Sequence, residues 1–192
     1  GSNINDLANF VNNELQKLGM WLRANKLSVN ADKTKVMIFH QKNKTIPPLE
    51  FSFNNNDLNA PQDLTLISPI ERITNFSKIP AFKMLGVFLD ENLTFDYHNK
   101  QVRNKVSKAL YYLIKAKHIL STKALKILYF ALVHSHLLYC LPIYSSTKKK
   151  NIDSLYVLQK KCIRTISNAK YNSHTQPLFM ALNILPLPDL IS

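Results

Sequence analysis

The acidic residues are the first candidates for chemistry, because two carboxylates close together can hold the divalent ions that activate a hydroxyl group and stabilise a leaving oxygen. The chain has 12 acidic residues among 192, and Asp90 and Glu91 are the only adjacent pair. Neighbouring residues on a strand point to opposite faces, and Asp favours turns at strand ends. We therefore interpret this pair as part of a turn and predict no metal site.

Residues of other catalytic classes lack the surroundings that their chemistry needs. Beyond Gly1, the chain has only Gly19 and Gly86, so the glycine-rich loops that surround phosphates are absent from the sequence. No serine lies in a nucleophile-elbow pattern. His136 and Cys140, four residues apart, share a helix face, but no second pair accompanies them and zinc is not predicted.

Basic side chains form the most pronounced charge pattern. Lys and Arg outnumber Asp and Glu by 25 to 12, which gives a formal net charge of +13 and favours phosphate polyanions as partners. Two predicted helices each place basic residues opposite an apolar stripe. The residues concerned are Lys100, Asn104, Lys108, Tyr111 and Lys115 in one helix, and Lys160, Lys161 and Arg164 in the other. We predict that both faces bind nucleic acid, although a solvated helix surface gives the same pattern.

The periodicity of apolar residues predicts an α+β chain. An amphipathic helix is predicted from Ile4 to Arg23, with its buried stripe at Ile4, Leu7, Val11, Leu15, Leu18 and Leu22. Short β-rich runs at 35–40, 49–53, 64–70 and 82–89 predict a small antiparallel sheet. Gly86 inside the last run indicates a bulge or a close approach of another backbone. Three helices at 95–119, 121–138 and 151–167 and a short one at 175–182 then form a bundle.

The remaining composition limits the setting of the chain. Cys140 and Cys162 lie in predicted apolar surroundings without a secretory leader, which indicates a reduced, intracellular protein. The longest apolar stretch, Leu125 to Ile143, is interrupted by Lys, His, Ser and Pro, so we predict no membrane span, although adsorption to an anionic membrane surface stays open as an alternative. We predict no membrane partner, because the helices lack the one-sided Trp, Phe and Leu face over a lysine-rich face that interfacial helices show. Residues 1–2, Gly-Ser, are interpreted as a remnant of tag cleavage, and the chain as an excised piece of a longer protein.

Several segments, in order, resemble the reverse transcriptases of non-LTR retrotransposons. Trp21 to Phe39 resembles the fourth palm motif of that family, in which a helix continues into a strand through a Leu-x-x-Asn-x-x-Lys-Thr turn. Phe82 to Asp90 resembles the fifth motif, the hairpin that grips the primer end. Three further segments resemble the thumb, namely Leu93 to His98, Leu128 to Cys140 and Leu158 to Ser167, and His174 to Leu187 resembles the region beyond it.

The resemblance implies a fragment of a polymerase. Residues 3–92 would form the C-terminal part of the palm, 93–170 the helical thumb and 171–192 the connection that follows. Lys33 matches the lysine proposed to protonate the departing pyrophosphate in related polymerases, and Leu85 and Gly86 match the primer grip. The Tyr-x-Asp-Asp turn and the earlier metal-binding aspartate of the family are not in this chain. The chain alone is therefore expected to be inactive, whereas the intact parent is expected to copy RNA into DNA with Mg²⁺.

The partner implied by the resemblance is an RNA–DNA hybrid or an RNA template with a DNA primer, held through phosphate and sugar contacts without base readout. The parent element protein is expected in the nucleus and cytoplasm. A second class of function stays open, a retrotransposon-derived interaction module that self-associates through apolar faces left by the missing palm. Two single residues also have an alternative without a role in polymerisation. Lys33 would then be a solvated turn residue, and Gly86 would mark an ordinary strand bulge.

Overall fold

The computed structural model describes residues 4–27, 29–30, 33–54, 67–74 and 77–191. The chain divides into two compact units, one comprising Gly1–Phe82 with Asp90–Leu93 and the other Lys83–Leu89 with Thr94–Ser192. Both helices and short strands are present, so the predicted α+β class is confirmed. Residues 83–89, which the sequence groups with the first part of the chain, lie in the second unit.

The first unit contains one long helix, α1 (Ile4–Ala24). Its buried side spans an arc of about 80° at 3.6 residues per turn. This side carries the buried Ala8 and Gly19 and the partly buried Val11, Leu15 and Leu22. Leu7 and Leu18 lie outside the arc and are 46% and 45% exposed, so the predicted stripe is wrong at these two positions. They lie beside the exposed Phe10 and Trp21, and we call these four side chains the α1 apolar face.

The strands of the first unit form separate pairs. β1 (Lys35–Val36) pairs in parallel with β4 (Glu71–Arg72), whereas β2 (Ser52–Asn54) and β3 (Ile67–Pro69) are antiparallel. The predicted antiparallel pairing is confirmed for β2 and β3, whereas β1 and β4 differ from the prediction because they are parallel and form a separate pair. A salt bridge of 2.6 Å between Lys35 and Glu71 joins the parallel pair.

The amide of Asn12 attaches α1 to β2. Its Nδ2 donates to the Glu50 carbonyl at 3.2 Å, and its Oδ1 accepts from the Ser52 amide at 3.3 Å. Between these two residues, Phe51 is buried with Ala8 of the helix. The Asn12 side chain thus fixes the segment that carries the buried Phe51, which lies immediately before β2.

The second unit contains a hairpin and a set of helices. The hairpin consists of β5 (Phe82–Met84) and β6 (Val87–Leu89). All of its residues except Phe82 belong to the second unit. The helices are α2 (Asp96–Ala116), α3 (Thr122–Tyr129), α4 (Ser135–Leu138), α5 (Leu141–Tyr144), α6 (Lys149–Ile166) and α7 (Gln176–Leu182), followed by a 3₁₀ turn at Leu187–Leu190. A π-helical turn, Phe130–His134, joins α3 to α4 without a break. Together these three segments occupy the single helix predicted at 121–138.

The core of the second unit lies mainly between α2 and α6, the two helices with the most extensive contact. The buried residues of α2 are Val102, Val106, Ala109 and Leu113, and those of α6 are Leu155, Gln159, Cys162, Ile163 and Ile166. The apolar stripes predicted for these helices are confirmed. The N-terminus of α3 is capped, since the Ser121 hydroxyl accepts from the Ala124 amide at 3.3 Å. Within the described ranges, no helix is long and apolar enough to cross a membrane.

Candidate nucleic-acid interface

The basic side chains predicted on α2 lie together on its outer face. Because Val102, Val106, Ala109 and Leu113 are buried against the rest of the unit, the opposite side of the helix faces solvent. Lys100, Asn104, Lys108, Tyr111 and Lys115 are all exposed there. Their spacings of four, four, three and four residues keep them within an arc of about 80°. We call these five side chains the α2 stripe.

The α2 stripe has the chemistry of a surface for nucleic-acid backbone. Three ammonium groups can bind phosphate oxygens, the Asn104 amide can donate to or accept from a sugar hydroxyl, and the Tyr111 ring is 57% exposed. The Lys115 Nζ lies 5.7 Å from the centroid of that ring, which keeps charge and aromatic surface together. At 1.5 Å per residue, the 15 residues from Lys100 to Lys115 extend over about 22 Å.

The α2 stripe is bordered by three further residues, which were not predicted from the sequence. Arg103 and Lys105 are exposed on its two sides, and Tyr112 is 57% exposed. The Tyr112 ring meets the Tyr111 ring edge-on, with centroids 5.9 Å apart. Their positions follow from the same helical periodicity, so extending the predicted face by one residue on each side would have found them. The cationic surface is therefore wider than predicted.

The turn of the β5–β6 hairpin consists of Leu85 and Gly86, the two residues assigned to the primer grip. Their φ angles are +46° and +87°, and positive φ at both central residues is the requirement of a type I′ hairpin turn. The Leu85 side chain is 86% exposed at the tip. The expectation of a bulge inside a strand is corrected here, because Gly86 occupies the turn itself. The close approach to Gly86 is made by a side chain and not by another backbone, since the Tyr139 ring lies against it.

The hairpin is attached to the helices through the first two residues of β6, Val87 and Phe88. Val87 is buried in the core, and the Phe88 amide donates to Nδ1 of His98 at 3.3 Å. The Phe88 ring also meets the Tyr97 ring edge-on, with centroids 5.1 Å apart. Burial, with the charge of Lys105 as a lesser cause, lowers the pKa of His98. The imidazole is therefore neutral and keeps its lone pair for the Phe88 amide.

Two of the three basic residues predicted on α6, Lys160 and Arg164, have local partners. Arg164 is partly buried, and its Nε donates to the Ser173 carbonyl at 3.0 Å, which ties α6 to the loop before α7. Lys160 lies 4.0 Å from the centroid of the Tyr156 ring. Lys161 is exposed. These three residues do not form an outward-facing group comparable to the α2 stripe.

Lys33 belongs to the first unit, in the turn that resembles the fourth palm motif. Its amide donates to Oδ1 of Asn30 at 3.1 Å, and the Thr34 hydroxyl donates to the Asn30 carbonyl at 2.9 Å. These bonds account for Asn and Thr at this spacing, since the Asn side chain and carbonyl close the turn, whereas Lys33 contributes only its backbone amide. The Lys33 side chain is exposed, and residues 31–32 of the motif lie outside the described residues.

The adjacent carboxylates Asp90 and Glu91 are both buried and belong to a turn, as predicted. Oδ1 of Asp90 accepts from the Asn92 amide at 3.2 Å, and the Glu91 carboxylate lies 3.4 Å from Nε2 of His40. The Asn92 side chain donates to the His40 carbonyl at 2.9 Å. No group of three His, Cys, Asp or Glu side chains among the described residues could hold a metal ion. The described residues therefore form no site for the Mg²⁺ expected of the intact parent.

Comparison with known proteins identifies relatives among mobile-element polymerases. A stretch of 113 residues is 30% identical to the RNA-directed DNA polymerase from mobile element jockey of Drosophila melanogaster, and the match covers 57% of this chain. The corresponding protein of Drosophila funebris is 29% identical over 114 residues. The probable RNA-directed DNA polymerase from transposon BS of Drosophila melanogaster is 28% identical over 113 residues.

The match covers 12% of the length of each jockey polymerase. No family model and no solved structure matches the chain. The relatives are nonetheless of the kind that the sequence motifs indicate. The resemblance to reverse transcriptases of non-LTR retrotransposons is therefore confirmed, and over 57% of its length this chain is similar to RNA-directed DNA polymerases of mobile elements.

Proposed function

We propose that this chain is the primer-grip and thumb portion of a non-LTR retrotransposon reverse transcriptase, and that it holds the template–primer duplex without polymerising. The α2 stripe is the observation that carries the proposal, because it exposes three lysines and a tyrosine along one helix face. The hairpin with Leu85 and Gly86 at its turn lies in the same unit. The similarity to RNA-directed DNA polymerases gives this surface its substrate class.

The spacing of the lysines suits a sequence-independent hold. Lys100 and Lys108 are about 12 Å apart along the helix axis, and Lys108 and Lys115 about 10 Å. A duplex presents one phosphate per strand about every 3.4 Å of its axis. Successive lysines would therefore meet phosphates that are about three apart on one strand. Contacts to phosphate and sugar give affinity and orientation but no base preference. An RNA–DNA hybrid and an RNA duplex would therefore both bind.

The test is fluorescence-anisotropy binding of the purified chain to a hybrid duplex, an RNA duplex and a single strand across a salt series. Three phosphate contacts predict a slope of about −2.7 in log K against log salt, or about a 40-fold loss of affinity between 50 and 200 mM salt. Lys108→Ala is expected to lower the magnitude of the slope by about 0.9 on every duplex sequence. Lys170→Ala, an exposed lysine outside the α2 stripe, is the matched control.

Equal slopes for Lys108→Ala, Lys170→Ala and the unchanged chain would contradict the role of the α2 stripe. Primer extension with Mg²⁺ is run beside the binding assay. We expect no extension, and the expected role of Lys33 as an auxiliary general acid then concerns the intact parent alone. A mutation of Lys33 would be tested there by its effect on the rate of nucleotide addition.

The alternative, an interaction module, is favoured by a separate observation. The α1 apolar face exposes Phe10 and Trp21 at 61% and 58%, and exposed apolar side chains at helical spacing are typical of association surfaces. Light scattering with size exclusion would test it. A dimer that Trp21→Glu converts to a monomer, in a chain that binds no duplex even at low salt, would make association the function.

A further inference from the structure

Tyr139 contacts the turn of the β5–β6 hairpin from a distant part of the chain. Its hydroxyl donates a hydrogen bond to the carbonyl of Leu85, the first residue of the turn. Its ring also covers Gly86, since a Cβ placed there would lie 3.0 Å from Cε1 and 3.2 Å from the hydroxyl oxygen of Tyr139. The tip of the hairpin therefore has one polar and one packing contact with the same side chain.

The backbone around Tyr139 gives this side chain a defined position. Tyr139 follows the last residue of α4, with its amide bonded to the Ser135 carbonyl at 3.1 Å. The next residue, Cys140, has a φ of +55°, and α5 begins immediately after it. The ring is nevertheless 51% exposed. Core burial alone thus does not account for its orientation, whereas the contact with the hairpin does.

The contact also fixes the hairpin relative to the α2 stripe. In the middle of β6, Phe88 is held by His98 and packs against Tyr97. Tyr97 and Lys115 are 18 residues apart, which is five helical turns, so they fall on the same side of α2. Val87 and Phe88 thus hold β6 itself, whereas Tyr139 contacts the two residues of the turn, Leu85 and Gly86.

We propose that Tyr139 is a positioning residue that holds the Leu85–Gly86 turn in the place where it receives the 3′ end of a primer. This inference rests on the proposed function, because it assigns the turn a primer end and the α2 stripe the adjoining duplex. Tyr139 itself contacts the hairpin and need not touch nucleic acid. Phenylalanine at this position would keep the packing against Gly86 and lose only the hydrogen bond to Leu85.

The experiment compares two RNA–DNA duplexes of equal length, one with a recessed 3′ DNA end and one closed by loops at both ends. The unchanged chain is expected to prefer the recessed end. In Tyr139→Phe this preference should fall by about three- to tenfold, the equivalent of one hydrogen bond, while affinity for the closed duplex and its salt slope stay the same. Tyr171→Phe, whose ring is 83% exposed, is the matched control and should behave as the unchanged chain.

Amide hydrogen exchange gives a second measurement that does not depend on ligand. Tyr139→Phe should speed exchange at Gly86 and Val87 and leave exchange in α2 and α6 unchanged, whereas Tyr171→Phe should change neither. Unchanged exchange at the turn would overturn the inference.

The binding outcomes separate the two proposals. An end preference that Tyr139→Phe retains, or an unchanged chain without end preference, overturns the role of Tyr139 and leaves duplex binding by the α2 stripe intact. If neither duplex binds at low salt, the proposed function fails, and the inference fails with it.

Discussion

Gln159 is fully buried in α6, and both polar atoms of its amide are hydrogen-bonded. Nε2 donates to the Tyr129 hydroxyl at 2.9 Å and to the Leu185 carbonyl at 3.0 Å, and Oε1 accepts from the Leu187 amide at 2.7 Å. One side chain thus joins α6, α3 and the segment after α7. Tyr129 is itself buried, and burial raises its pKa to about 12. The substitution Gln159→Leu would remove all three bonds at nearly constant volume.

The cost of Gln159→Leu follows from the groups left behind. The Tyr129 hydroxyl and the Leu187 amide would be buried without their present partner, at about 1–3 kcal/mol each. The Leu185 carbonyl is partly buried and regains water. The new apolar side chain returns about 1 kcal/mol by burial. We therefore expect the free energy of unfolding to fall by about 3 kcal/mol, with a midpoint about 6–12 °C lower for a chain of this size.

Urea unfolding followed by far-ultraviolet circular dichroism measures this change. Gln176→Leu, at an exposed position in α7, is the control and should stay within about 0.5 kcal/mol of the unchanged chain. A loss below about 1 kcal/mol for Gln159→Leu would refute the reasoning, because it would mean that the three bonds offset no more than the desolvation of the amide.

Three other predictions concern the second unit. Gly86→Ala should destabilise the chain by about 1–2 kcal/mol in urea unfolding, because alanine is strained at positive φ and its methyl group would meet Tyr139, and an unchanged midpoint would contradict this account. Burial lowers the pKa of three histidines, His98, His134 and His136. Stability should therefore be nearly constant only well above a pH of about 6.5, where both states are neutral. It should fall as the pH drops through that value, because the unfolded chain binds protons first, and denaturation between pH 7.5 and 5 would measure this loss. Cys162 is fully buried, and burial raises the pKa of its thiol to about 12. A thiol reagent should therefore modify one cysteine in the folded chain, Cys140, and both cysteines after denaturation. Rapid modification of both cysteines in the folded chain would contradict the observed burial.

The long helices and the α2 stripe could be predicted from the sequence, because both depend on local periodicity. α1, α2 and α6 begin and end within three residues of their predicted bounds, and the exposed face of α2 has the predicted residues. Helical spacing also gives the direction of a side chain once one buried position is known. The same rule fails for α1, where Leu7 and Leu18 continue the apolar pattern but lie beyond the part of the helix that is covered.

Features that depend on distant contacts could not be predicted. The parallel pairing of β1 with β4 joins residues 36 positions apart, and no local pattern specifies it. The contact between Tyr139 and Leu85 spans 54 residues, so no local pattern indicates it. Nδ1 of His134 is buried without a hydrogen-bond partner among the described residues, which periodicity does not indicate either. The turn at Asp90 and Glu91 was predicted correctly because Asp signals turns locally.

The π-helical turn at Phe130–His134 has a consequence for how the length of this chain can change. Leu125, Tyr129, Val133 and Leu137 are spaced by four residues and are all at most 3% exposed. In a regular α-helix each such step drifts by about 40°, so the three steps from Leu125 to Leu137 would turn the side chain by about 120°, away from the buried side. The wider π turn takes up part of that drift. This segment therefore accommodates one residue more than a regular helix would need. A homologue could lose one residue here and keep Leu137 and Tyr139 on their present faces, whereas the same loss within α2 would rotate half of its lysines away from the other half.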